Sequence, residues 1–124
     1  MMYLDASAAA KLVFAEEESA ALVHAVQGQE LCSSDILSVE LHRAARRRKE
    51  SPALVSEILE YISTVEIVPA QLRIASSFEA QHLGALDAIH LATALLIDAD
   101  ALVTYDKQLA EAATAAGLRV VSPA

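Results

Sequence analysis

The chain of 124 residues has one cysteine, no tryptophan and only five other aromatic residues. Cys32, alone in the short run Leu31-Cys32-Ser33, can form no internal disulfide, and its apolar setting marks it as a buried structural thiol. Tyr3, Phe14, Tyr61, Phe78 and Tyr105 offer few platforms for stacking bases. No apolar run approaches the ~20 residues of a membrane span. No basic leader with a cleavage site precedes the first apolar run, so a cytoplasmic location is expected. A Cys/His cluster of the kind that holds zinc is missing, and so are internal repeats, linkers and low-complexity segments.

Positive charge is scarce as well. Nine Lys and Arg face seventeen Asp and Glu, for a formal net charge of −8. That balance argues against a generic nucleic-acid binder, which needs a basic face to meet phosphates. The cations are unevenly spread, however: five of them fall in His42-Arg43-Ala44-Ala45-Arg46-Arg47-Arg48-Lys49, directly after Glu40.

Apolar content is plentiful. At 55% hydrophobic and a mean hydropathy of +0.38, the composition excludes a disordered chain, and the length fits one domain. Much of the apolar content is alanine, which predicts a helix-rich core with closely packed elements. Short β-rich runs alternate with longer helical patterns, as in βαβ units around a parallel sheet. Strands are predicted near 2–5, 30–33, 65–68, 101–104 and 118–121. Helices are predicted near 7–14, 17–27, 35–49, 53–63, 70–82, 86–98 and 107–116. Gly28, Pro52, Pro69, Gly84 and Gly117 punctuate these segments, and Ser33 or Ser34 is placed to cap the third helix.

Four acids stand at this punctuation: Asp5 closes the first strand, Glu40 lies about 8 Å along the helix after the second, Asp87 opens the sixth helix, and Asp106 follows the fourth strand. An open parallel sheet binds ligands beyond the carboxyl ends of its strands, so all four belong to one rim. Two carboxylates about 4.5 Å apart repel by roughly 4 kcal/mol at an effective dielectric near 20. A hard divalent ion such as Mg²⁺ or Mn²⁺ is the natural occupant of such a cluster. Taken singly, Asp5, Asp87 or Asp106 could serve only as a helix cap; the four together on one edge are harder to explain that way.

Tyr3-Leu4-Asp5-Ala6-Ser7-Ala8, Glu40-Leu41, Ala85-Leu86-Asp87-Ala88-Ile89-His90-Leu91-Ala92-Thr93-Ala94 and Leu102-Val103-Thr104-Tyr105-Asp106 resemble, in order, the motifs of PIN-domain ribonucleases, and most of all the VapC-type toxins of bacterial toxin–antitoxin pairs. The resemblance spans essentially the whole chain. It implies an α/β fold, a single PIN-like domain over residues 1–124 with a central parallel sheet flanked by helices. It also implies a metal-dependent endoribonuclease with Asp5, Glu40, Asp87 and Asp106 as catalytic and metal-holding residues around Mg²⁺ or Mn²⁺. A metal-activated water would leave 5′-phosphate and 3′-hydroxyl ends, with no covalent intermediate. A homodimer and a cognate VapB-type antitoxin are implied too. Tyr105 stands where small or basic residues are commoner in the family.

Around this quartet, Ser7 and Thr104 are candidates for hydrogen bonds to the ligating acids, with helix capping and strand propensity as their alternatives. Arg43 and Arg47 lie within about 60° of Glu40 on the helical wheel and are candidates for RNA phosphate contact. Arg46, Arg48 and Lys49 read as a solvated helix end. Glu16-Glu17-Glu18 reads as a solubilising run that favours a helix dipole, and His90, three residues after Asp87, as a packing histidine with a ligand or general base as its alternative. The apolar residues Leu12, Leu54, Ile58 and Ile62 suggest a self-association surface. Two other classes are weighed: a metal-dependent phosphatase, for which Asp5 lacks a second Asp two residues on, and a degenerate PIN-fold binding module, which would have lost one or more of the acids.

Overall fold

Five short strands and seven helices form where the sequence changes period. In the computed structural model, which describes residues 1–124, their order is β1 (Met2–Leu4), α1 (Ala6–Val13), α2 (Ser19–Val26), β2 (Leu31–Ser34), α3 (Ile36–Arg48), α4 (Pro52–Leu59), β3 (Ser63–Val65), α5 (Pro69–Ser77), α6 (Ala85–Leu96), β4 (Ala101–Val103), α7 (Lys107–Ala115) and β5 (Val120–Val121). All pairings are parallel, in the spatial order β3-β2-β1-β4-β5. The chain therefore winds outward from β1 through β2 to β3, crosses back, and winds out the other way through β4 to β5. The direction reverses between β1 and β4, where Tyr3 sits beside Leu102 and Leu4 beside Val103. At such a switch point the loops leave in opposite directions, and a crevice opens at the strands' carboxyl ends.

The strand period of two assigns the two faces of the sheet. Tyr3, Cys32 and Leu102 point to one side and bury against Leu91 and Ala94 of α6 and Leu109 and Ala113 of α7. Leu4 and Val103 point to the other and meet Ala8, Leu22 and Val26 of α1 and α2. A third cluster, with Phe14, Leu37, Leu41, Ala45, Val55 and Ile62, ties α3 and α4 to α1. The fully buried Ala8, Ala9, Ala92 and Ala94 let helix backbones approach their neighbours closely. Cys32 is buried, and burial pushes its thiol up to about 11, so it is an unreactive packing group at neutral pH.

Among the boundaries that differ from the sequence expectation, three have a visible cause. The third strand forms at Ser63–Val65 instead of 65–68, because the fully buried Gln71 claims the backbone that would extend it. Its Oε1 accepts from the Val68 amide at 2.9 Å and its Nε2 donates to the Glu66 carbonyl at 2.7 Å. Helix α5 stops at Ser77, short of 82, where Phe78 turns to extended backbone and packs on the α6–α7 core. Helix α3 takes Asp35 as its N-cap: Ser34 Oγ reaches the Ile36 amide only at 3.4 Å, and Ser33 Oγ instead donates to the Leu4 carbonyl at 2.7 Å.

Of the residues expected to form a self-association surface, Leu12, Ile58 and the buried Ile62 line one apolar groove of about 420 Å³ with Val23, Val26, Leu31 and Tyr61, and Leu54 does not. No helix is long and apolar enough to cross a membrane.

Candidate active site

The switch point gathers acids from four elements. Asp5 leaves β1 in extended backbone and caps α1, its Oδ1 accepting from the Ala8 amide at 2.9 Å. Asp106, two residues past Thr104, caps α7 in the same way, with Oδ1 on the Leu109 amide at 2.8 Å. Asp87 sits in the first turn of α6, and Glu40 in the second turn of α3. Capping by Asp5 and Asp106 is therefore real. For Asp106 it occupies one oxygen only.

Asp5 is the most enclosed of the four, 1% exposed. Ser7 Oγ donates to its carboxylate, 2.7 Å from Oδ1 and 2.9 Å from Oδ2, and Thr104 Oγ1 donates to Oδ2 at 2.6 Å. Each hydroxyl is itself aimed by a backbone amide: Tyr105 donates to Ser7 Oγ at 2.9 Å and Asp106 to Thr104 Oγ1 at 3.1 Å. The strand β1 carboxylate is thus tied through two hydroxyls to the loop after β4. Burial pushes the Asp5 carboxyl up, and the Thr104, Ala8 and Ser7 donors pull against that rise.

Asp87 is half-buried and has no donors of this kind. Its carboxyl is pushed up to about 6, first by burial and then by the charges of Asp106, Asp5 and Glu40, with His90 opposing. Asp106, Asp5 and Glu40 therefore all lie within electrostatic reach of Asp87. No three carboxylate, imidazole or thiolate side chains close around a single point as a ready-made cage. The donor set on the rim is nonetheless oxygen-only and uncompensated, which fits a hard divalent ion held partly through water.

The sequence reading missed how His90 is used. It is buried, as a packing histidine would be, but both ring nitrogens are engaged: Nδ1 with Tyr3 Oη at 2.7 Å and Nε2 with Glu40 Oε1 at 2.6 Å. Its position three residues after Asp87 is the only hint in the sequence, and nothing there points to Tyr3.

The charged segments also sort differently from the sequence expectation. Glu16 bridges Lys11 at 2.8 Å and Arg48 at 2.5 Å, and Glu18 takes Lys11 at 2.7 Å. The Glu16–Glu18 run is therefore a clasp on the end of α1 instead of a free solvated run. Arg48 lies over the Phe14 ring, and Lys11 lies 4.8 Å from the centre of the Tyr105 ring. Tyr105 Oη donates to the Pro123 carbonyl at 2.6 Å, which ties down the chain's C-terminal segment. Arg43, Arg46 and Arg47 remain exposed and together line a crevice of about 320 Å³.

Three comparisons bear on this site. The PIN domain family model matches residues 2–115. Ribonuclease VapC35 of Mycobacterium tuberculosis is 40% identical, the match covering 99% of this chain and 97% of that protein. Ribonuclease VapC46 of the same organism is 34% identical over 98% and 97%. Among solved structures, M. tuberculosis VapC20, described as a sarcin–ricin loop cleaving toxin, superposes with a TM-score of 0.78 at 15% identity over 99% of this chain and 100% of that one. At that identity the likeness is one of fold.

Proposed function

The chain belongs to the PIN-domain family, and on that premise we propose that residues 1–124 form one nuclease domain, the endoribonuclease toxin of a VapBC-type toxin–antitoxin pair. The observation that carries the reading is the convergence of Asp5, Glu40, Asp87 and Asp106 on the switch-point rim, with Asp87 raised to about 6 by burial and by the other three. A structural role does not require a fold to gather four acids without a cation. All four acids are present, which disfavours a degenerate binding module, and no second Asp follows Asp5 by two residues as the phosphatase reading requires.

Asp5, Asp87 and Asp106, with Glu40, would hold Mg²⁺ or Mn²⁺. A bound divalent ion supplies a water of lowered pKa and offsets charge on the scissile phosphate. The chain's own part is to fix the oxygens. Ser7 and Thr104 hold Asp5 by both edges, the Leu109 amide of α7 holds Asp106, and α6 presents Asp87 from its first turn. The exposed N-terminal turns of α6 and α7 also favour an anion at this edge, as a phosphodiester is.

Metal binding should be linked to protons. Asp87 must release a proton below about pH 6 before it can ligate, so affinity should rise from pH 5 to pH 7.5, by roughly tenfold for this one group. Isothermal titration with Mn²⁺ at the two pH values tests it; equal affinities would refute the linkage.

Arg43 and Arg47 would track RNA phosphates beside the acids, with Arg46 as third wall of the same crevice. Replacing Arg43 and Arg47 by alanine should weaken RNA binding and lower the slope of log affinity against log salt by about 1–2. An unchanged slope would remove them from the substrate path. An acidic protein can then still hold RNA, because three of its unpaired arginines line one crevice.

As partners we propose a VapB-type antitoxin and a second copy of the chain, acting in the cytoplasm. The reading is tested by incubating purified protein with structured cellular RNAs, with Mn²⁺ or Mg²⁺ and with chelator. Discrete metal-dependent cuts leaving 5′-phosphate ends are expected. Folded, metal-supplied protein that cuts nothing and leaves cell growth untouched would overturn it.

A further inference from the structure

Tyr3 and His90 are both fully buried in the core under the sheet, where packing uses their rings but not their polar atoms. An apolar pair would fill the space without the cost of burying a phenol and an imidazole. What the pair does is form a line: Tyr3 of β1 to His90 of α6 at 2.7 Å, and His90 to Glu40 of α3 at 2.6 Å. Every polar atom on it is satisfied, since no buried side-chain nitrogen or oxygen lacks a partner.

The donors can be assigned from what surrounds the line. An ionised carboxylate only accepts, so the proton between His90 and Glu40 sits on Nε2. The two hydroxyls nearest in the fold have spent their protons elsewhere: Ser33 donates to the Leu4 carbonyl at 2.7 Å and Thr93 to the Ile89 carbonyl at 2.7 Å. With the ring proton on Nε2, Nδ1 is left as an acceptor, and the Tyr3 hydroxyl donates to it. The two rings pack edge to face, at 73° with centres 5.7 Å apart, so neither can swing without disturbing the core.

Glu40 is the acid that most needs such an anchor. Asp5 and Asp106 are short side chains fixed by the helices they cap, whereas Glu40 projects from within α3 on a longer stem. We propose that Tyr3 and His90 are positioning residues, which hold Glu40 through the chain Tyr3 Oη–H to His90 Nδ1 and His90 Nε2–H to Glu40 Oε1. The proposal rests on the nuclease reading of the rim. It gives the core of the sheet a direct hold on one of the four site acids. Oε1 is committed to the imidazole, leaving Oε2 available to the site.

The first measurement needs neither metal nor RNA. Long-range ¹H–¹⁵N NMR of the imidazoles in metal-free protein should show His90 as the Nε2–H tautomer, and Tyr3→Phe should shift that signal. An Nδ1–H tautomer in the wild type would overturn the proposal. The second measurement is kinetic. Tyr3→Phe, checked by its melting curve to be folded, should lower kcat by about ten- to a hundredfold while KM for RNA holds. In a Glu40→Gln background the same change should add nothing, because it acts through Glu40. An unchanged kcat, or losses that multiply in the double variant, would also overturn it. A wild type that cuts no RNA sinks the nuclease reading instead, and the tautomer result then still decides whether the hydrogen-bond chain exists.

Discussion

Asp87→Asn should abolish RNA cleavage and, in the same protein, raise the melting temperature without metal. Loss of activity follows from the loss of an ionisable oxygen facing the other three acids. An amide neither carries charge nor competes for a hard ion, and a fall on the order of a thousandfold or more in turnover is expected. The stability gain follows from the raised pKa. The folded-state value of about 6 lies above the unfolded carboxylate value. The folded state therefore binds a proton that the unfolded state has given up. Its contribution is favourable below about pH 4 and is lost as pH rises through 6. At 1.4 kcal/mol per pKa unit the raw cost at neutral pH is about 3 kcal/mol. Solvent screening of a half-buried group brings it to about 1–2 kcal/mol. Asparagine removes that cost, so at pH 7.5 the variant should melt a few degrees higher, and the gap should shrink to about a third by pH 4.5. Thermal melts at both pH values beside a cleavage assay check it. A variant that melts lower at pH 7.5, or that still cuts, would mean that Asp87 is not repelled by its neighbours or is not part of the site.

That outcome bears on what sequence can and cannot convey. Asp5, Asp87 and Asp106 stand out because acids at strand ends and helix starts occupy defined places once the sheet is known to be parallel, whereas the β1–β4 switch point beside them emerges only from the spatial order of the strands. The Tyr3–His90–Glu40 line was not legible. It joins residues 87 and 50 positions apart, and neither the strand period nor the helix period says which side chain on one face meets which on another. Gln71 was hidden for a related reason. A polar residue in a helix reads as solvent-facing, yet this one is fully buried and spends its amide on the loop that ends β3. Glu16, Lys11 and Arg48 show the same limit for charges: a run of acids is locally a solvated face, and only the return of α3 beside α1 supplies the arginine that turns it into a clasp.

Asp5→Ala should also end cleavage, but with the opposite effect on stability. Asp87 is held against repulsion, whereas Asp5 is surrounded by donors: the Ala8 amide and the Ser7 and Thr104 hydroxyls lie 2.6–2.9 Å from its oxygens. Removing the carboxylate leaves these donors buried without their acceptor, at about 1–3 kcal/mol each if nothing relaxes. Relaxation is available, because Ser7 Oγ and Thr104 Oγ1 are 3.3 Å apart and can turn toward each other. The N-cap of α1 is lost as well, at about 1 kcal/mol. Against these stands relief from holding a charge at a site where burial pushes the carboxyl upward. The donors win, since three of them converge on one group and two tie β1 to the loop after β4. A net loss of about 2–4 kcal/mol is expected, with a melting temperature lower by roughly 5–15 °C. Asp5→Asn keeps one acceptor oxygen and should fall between alanine and wild type. Melting curves of both variants beside Asp87→Asn decide the matter. If Asp5→Ala matched the wild type, the Ser7–Thr104 network would be incidental to the fold. If it fell while Asp87→Asn rose, two carboxylates on one rim would be governed by different forces, hydrogen bonding at Asp5 and burial reinforced by charge repulsion at Asp87.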